Sequence, residues 1–276
     1  MPYVEAEGCT LYAESFGNAD DPPLLLISGL TSQLLSYPEE FCAAFVDRGF
    51  FVIRMDNRDV GLSTKFVDGP AYSLSDMAND CVSVIAHFGF SAAHIFGISM
   101  GAMIAQTMAI DHPEAVASLT SYASATGNRD FGRGTDEAMA ALTAPEPKTR
   151  EESIASGIAG RRIWGTPDVW DEDELAVEFG RNWDRAQSPG AGRRQMEAIV
   201  SSGDREPGLA QLSVPTLVIH GSVDSLITKS GGQRTAEVIP GAKYVEIEGM
   251  GHDIPITELP HIVSLVTAHA AEAGGA

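Results

Sequence analysis

Ser99 lies in the run Ile95-Phe96-Gly97-Ile98-Ser99-Met100-Gly101-Ala102-Met103, with a glycine two residues away on each side. The run before it has the apolar character of a strand, and the run after it that of a helix. A serine on so sharp a strand-to-helix turn is held clear of the sheet, and its neighbours must be small for strand and helix to approach there. The helix N-terminus behind it favours developing negative charge. A serine N-cap would account for Ser99 but not for both glycines. A hydroxyl near neutral pH is a poor nucleophile and needs a base. Among seven histidines, His252 in Gly249-Met250-Gly251-His252-Asp253 stands out, because it follows the last strand-like run on a glycine-flanked loop. His87, His94, His112, His220, His261 and His269 read as structural or solvated. The carboxylate that would fix the imidazole tautomer is Asp224, in His220-Gly221-Ser222-Val223-Asp224. Asp253 adjoins the histidine but should face elsewhere, and Asp111 and Asp130 are the reserve acids. Two backbone donors would be needed for the oxyanion of acyl transfer. Met100 N–H follows the nucleophile, and Leu30 N–H follows the strand Pro23–Gly29 in Ser28-Gly29-Leu30-Thr31. Arg58, in Asp56-Asn57-Arg58-Asp59-Val60-Gly61-Leu62-Ser63, could meet a substrate carboxylate or hydrogen-bond the surrounding loops. The methionines Met100, Met103 and Met108 read as core.

These residues need a scaffold, and the apolar pattern supplies one. Strand-like runs cover Thr10–Gly17 (edge-like alternation), Pro23–Gly29, Phe50–Asp56, Ala92–Ile98, Val116–Ser124, Pro215–Gly221 and Lys243–Glu248. Helical spacing covers Pro38–Arg48, Ser73–Gly89, Met100–Asp111, Gly232–Ile239 and Glu258–Ala271. Such alternation predicts an α/β fold with a mostly parallel, doubly wound sheet. Residues 125–207 break the rhythm: they are polar, helix-patterned and hold Trp164, Trp170 and Trp183. They read as a helical lid (cap) between two parts of one core, 1–124 and 208–276, placed where ligands enter such sheets. The three tryptophans either line a pocket or anchor the lid. The tail Ala270–Ala276 is expected to fray.

Length and composition narrow the class. The 276 residues, 44% hydrophobic, suffice for a large core. A formal charge of -20 repels phosphate backbones and anionic lipid, so no nucleic-acid partner is expected. No apolar run is long enough for stable membrane insertion. Cys9, Cys42 and Cys81 are isolated, which argues against a zinc site or a disulfide framework. No secretory leader is visible near Glu5 and Glu7, so the chain reads as cytoplasmic.

The motifs together resemble the α/β-hydrolase superfamily: the turn Gly97–Gly101, the acid segment HGSVD, the histidine loop GMGHD and the segment DNRDVGLS. The order Ser99, Asp224, His252 is the one found there. In finer detail RMDNRDVGLST and GISMGAMIAQ are similar to bacterial aclacinomycin methylesterase-like and mycobacterial lipase/esterase-like carboxylesterases. Two departures stand out. Ser28-Gly29 replaces the His-Gly of many relatives, and Asp59 replaces the first glycine of D-x-R-G-x-G-x-S. The resemblance implies an α/β-hydrolase fold and a serine carboxylesterase using Ser99, Asp224 and His252, with Leu30 and Met100 amides as oxyanion donors. It implies no metal or organic cofactor and a small-molecule ester as partner, such as a methyl ester on a larger natural product. Association as a homodimer stays open. The same triad would also serve a perhydrolase (cofactor-free haloperoxidase) or a lactonase, and a ligand-binding receptor can be built on the same fold.

Overall fold

The structure, a computed structural model, describes residues 2–67, 69 and 71–274. Eight strands form one sheet: β1 (Tyr3–Ala6), β2 (Cys9–Phe16), β3 (Pro23–Ile27), β4 (Phe51–Met55), β5 (Ala93–Ile98), β6 (Val116–Tyr122), β7 (Thr216–Gly221) and β8 (Lys243–Ile247). Their order is β1-β2-β4-β3-β5-β6-β7-β8, antiparallel from β1 to β4 and parallel from β4 onward. This is the mostly parallel sheet expected from the alternating pattern.

The short apolar strands are buried on both faces because successive side chains point to opposite sides. Leu24 and Leu26 of β3 enter one core with Phe41 and Phe45 of helix α1 (Glu39–Val46) and Ile262 and Val266 of the final helix. Leu25 and Ile27 enter the other core, with helices α2 (Leu74–His87) and α3 (Met100–Asp111). A capping box starts α2: Ser73 accepts from Asp76 N, and Asp76 accepts from Ser73 N. The free cysteines Cys9, Cys42 and Cys81 are buried in these cores.

Two expectations are corrected. The Thr10–Gly17 segment is not the edge of the sheet. Gly8, at φ 73°, turns the chain so that Tyr3–Ala6 pairs outside β2 and becomes the edge. The run YVEA is too short to announce itself. The tail does not fray from Ala270, since the last helix continues to Gly274. His269 Nε2 lies 3.2 Å from Pro215 O, and Glu272 pairs with Lys243, which ties the helix end to the sheet. Residues 275–276 lie outside the described residues.

Between β6 and β7 the chain forms helices α4 (Asp136–Leu142), α5 (Arg150–Trp164), α6 (Glu172–Arg185), α7 (Ala191–Ser202) and α8 (Glu206–Leu209), with no strand among the described residues. Thr135, Thr149 and Asp171 cap α4, α5 and α6 with side-chain oxygens. The segment leaves and re-enters the core at a narrow neck. A Cβ on Gly127 would lie 2.2 Å from Gly203 O. Beside them the buried Arg205 guanidinium donates to Ala125 O at 2.8 Å and Gln106 Oε1 at 3.1 Å. Helices α9 (Ser230–Val238) and α10 (Leu259–Gly274) complete the core.

Candidate active site

Strand order reverses around β3, which has β4 on one side and β5 on the other, and ligand sites of such sheets form beyond the carboxyl ends of strands at this point. Ser99 follows β5 there and Gly29 follows β3. Ser99 has φ 56° and ψ -120°, a conformation that costs a non-glycine residue about 1–3 kcal/mol. Packing enforces it. A Cβ on Gly97 would lie 2.3 Å from Gly101 O, and one on Gly101 would lie 2.0 Å from Ile27 O. Ser99 N–H donates to Tyr122 O at 2.9 Å, and Ser124 Oγ donates to Ser99 O at 2.9 Å, so the turn is held from β6. A Cβ on Gly29 would lie 3.9 Å from Ser99 Oγ, an ordinary contact, so this residue borders the hydroxyl directly.

His252 and Asp224 meet. His252 Nδ1 lies 2.6 Å from Asp224 Oδ2. A carboxylate only accepts, so Nδ1 carries the proton and Nε2 presents its lone pair. The other Asp224 oxygen accepts from Leu226 N and Ile227 N, both at 2.9 Å. Burial pushes the Asp224 carboxyl up, but His252 and His220 beside it outweigh burial and bring it down to about 2. Asp224 is therefore ionised across the neutral range. Among the described residues no hydrogen bond joins Ser99 Oγ to His252, and Nε2 has no protein partner. Catalytic hydrogen bonds of this kind commonly tighten only around a substrate.

The remaining sequence candidates fall into place around these groups. Met100 is the first residue of α3, so its N–H has no intrahelical acceptor. Leu30 N–H likewise makes no bond to backbone or side chain among the described residues. Arg58 is buried and forms a bidentate pair with Asp80, Nε at 2.6 Å and Nη2 at 2.8 Å, so it ties its loop to helix α2 rather than facing a ligand. Asp111 accepts from Ser75 and Asp130 sits exposed in a turn, neither near the histidine loop.

Several residues around the site make contacts that the sequence did not assign to them. His220 Nε2 is 2.7 Å from Ile227 O and 3.4 Å from Asp224 Oδ2, so a second imidazole flanks the acid. The i, i+4 spacing in HGSVD was the available clue. Asp253 turns away from its neighbour His252. Its buried carboxylate accepts from Thr166 N at 2.9 Å, Thr166 Oγ1 at 2.5 Å and Trp170 Nε1 at 2.6 Å. Trp170 is thereby an anchor, and Arg161 stacks over its ring at 4.1 Å. His252 N–H also donates to Trp164 O at 2.5 Å, so the histidine loop is fastened to the end of α5. Asp59, at φ 79°, accepts from Phe66 N, Tyr72 Oη, and Nε and Nη2 of Arg194 on α7. Ser28 is buried, and its carbonyl accepts from Asn57 Nδ2 at 2.9 Å.

The family model described as the alpha/beta hydrolase fold matches residues 22–259, and the chain belongs to that family. Within it, the chain is 30% identical to rhodomycin D methylesterase DauP of a Streptomyces species (strain C5), over 96% of each chain. It is also 30% identical to 3-oxoadipate enol-lactonase 2 of Acinetobacter baylyi, over 86% of this chain and 84% of that one. Among solved structures the enol-lactonase from Burkholderia xenovorans superposes with a TM-score of 0.78 at 22% identity, covering 98% of this chain and all of the other.

Proposed function

We propose that the protein is a serine carboxylesterase that cleaves a carboxylic ester through an acyl-enzyme on Ser99, with the methyl ester of a larger natural product as its substrate class. The observation that carries this reading is the Nδ1–Oδ2 contact of 2.6 Å between His252 and an ionised Asp224, which leaves the Nε2 lone pair as base. In the first half-reaction Nε2 takes the Ser99 proton and Oγ attacks the ester carbonyl. The Leu30 and Met100 amides hold the oxyanion, and His252 returns the proton to the departing alcohol. Water, activated by the same imidazole, then releases the acid. Residues 125–207 act as the lid over the core. The rhodomycin D methylesterase among the relatives supports the methyl-ester substrate, and the setting we assign is cytoplasmic. A small-molecule ester is the only partner the reaction requires.

A lactone is a cyclic ester, and the enol-lactonase among the relatives makes lactone opening the second reading. The experiment that tests both is labelling with a fluorophosphonate, followed by turnover of matched methyl esters and lactones. Ser99→Ala abolishes labelling while circular dichroism is retained, and methyl esters turn over faster than lactones. Undiminished labelling in Ser99→Ala would move the nucleophile elsewhere, faster lactone opening would reverse the ranking, and labelling without turnover would leave a ligand-binding protein.

A further inference from the structure

The loop after β3 is closed by one bond of its own, Ser32 N–H to Gly29 O at 3.2 Å, across a turn centred on Leu30 and Thr31. Thr31, directly after Leu30, has φ 56°, a left-handed conformation that a β-branched residue avoids. Its N–H is held from outside the core: Gln195 of α7 accepts it through Oε1 at 2.8 Å. Gln195 is fully buried, and its Nε2 donates to Arg58 O at 3.2 Å. The amide therefore has one orientation, with oxygen toward Thr31 and nitrogen toward the Arg58 carbonyl. The backbone of α7 comes equally close, since a Cβ on Gly192 would lie 3.2 Å from Thr31 Cγ2. Two residues further along, Gln33 Nε2 donates to Asn182 O at 2.7 Å and to Ala186 O, and Gln33 Oε1 accepts from Arg185 Nη1 at 2.7 Å. The helical insertion thus grips the loop at both ends of its bend.

From these contacts we infer that Gln195 is a positioning residue for the reaction: from the insertion, it fixes the peptide after Leu30 and so aims the Leu30 N–H at the oxyanion. The inference rests on the esterase reading of Ser99 and deepens it. Without Gln195 only the 3.2 Å bond from Ser32 N–H to Gly29 O keeps Thr31 at positive φ, and a shift of the Leu30–Thr31 peptide carries the preceding Leu30 N–H off target. Ester binding through the rest of the pocket does not depend on that donor. The loss therefore falls on kcat and not on KM, because the oxyanion forms only on the way to the acyl-enzyme.

The test is Gln195→Met, which keeps the length of the side chain but offers Thr31 no comparable acceptor. A nearby control is Arg194→Gln, which breaks the ion pair between α7 and Asp59 without touching Thr31. Steady-state kinetics on a p-nitrophenyl ester should show kcat lowered about tenfold or more in Gln195→Met, as displacements of this kind do, with KM within about threefold by the same argument. Arg194→Gln should lower Tm but keep kcat near that of the parent. Should Gln195→Met not fold, Gln195→Asn is read in its place: it keeps the amide but falls one methylene short of Thr31 N, and its kcat should also drop. A folded variant of either kind with unchanged kcat would overturn the inference, as would an equal loss in Arg194→Gln. Failure of the parent protein to label at Ser99 would instead remove the esterase reading and this inference with it.

Discussion

Residue 99 carries a conformational cost that only its neighbours make tolerable, and the same neighbours predict how the site fails. Gly101→Ala places a methyl 2.0 Å from Ile27 O, a strand carbonyl that cannot step aside. We expect a loss of about 3 kcal/mol, the upper part of the range for overpacking, measured as a lower urea midpoint at constant m-value. Asp224→Asn keeps the shape of the acid but can no longer fix Nδ1 as the donor. By analogy with the serine-protease triad kcat should fall about 10⁴-fold, and a loss under about tenfold would demote this carboxylate. In the parent enzyme Asp224 stays charged down to about 2, so the acid side of the kcat/KM profile should show no step from this carboxylate in the ordinary carboxylate range. Its lowered value also sets a sign for stability. The contribution is full above the ordinary carboxylate range and is lost as pH falls toward about 2. The candidates Ser99, Asp224 and His252 each sit in a short local pattern of glycines and strand ends, which is what singles them out in the sequence. His220 was not singled out, because its place beside the acid depends on a loop folding back through Ile227.

At the level of elements, the sheet strands and their flanking helices were readable from alternation and caps, while the contacts between elements were not. Met100–Asp111 is helical over the expected residues, and Ser73 caps α2 through a box visible in the sequence. The edge hairpin escaped notice because four residues are too few to show a period. Contacts such as Asp253 to Trp170, or Thr31 to Gln195, join residues 83 and 164 positions apart, and no local pattern encodes them. The first of these is testable. Trp170→Phe removes one donor from Asp253 Oδ2, which keeps Thr166 N–H at 2.9 Å and Arg161 Nη1 at 3.5 Å. Stability should drop by about 1 kcal/mol, read from chemical denaturation, and a change within error would mean that Thr166 and Arg161 satisfy the acid between them.

Across the whole molecule, the insertion and the core are bound by buried ionic and amide contacts at several places: Arg185 to Asp56 at 2.8 Å, Arg194 to Asp59 at 2.6 Å, and the Asp253 cluster. All three tryptophans lie in the insertion, so their fluorescence reports that segment alone. Tryptophan emission and far-ultraviolet circular dichroism should therefore trace one coincident unfolding transition. An earlier tryptophan transition would show an insertion that melts by itself. The neck has a further consequence. Because Gly127 and Gly203 meet backbone to backbone and Arg205 ties the two crossing chains, the segment is a cassette with a single pair of cut points. Exchanging it for that of another hydrolase is a two-splice operation. A graft lacking an equivalent of Gln195 would yield a soluble hybrid that recognises new esters and scarcely turns them over.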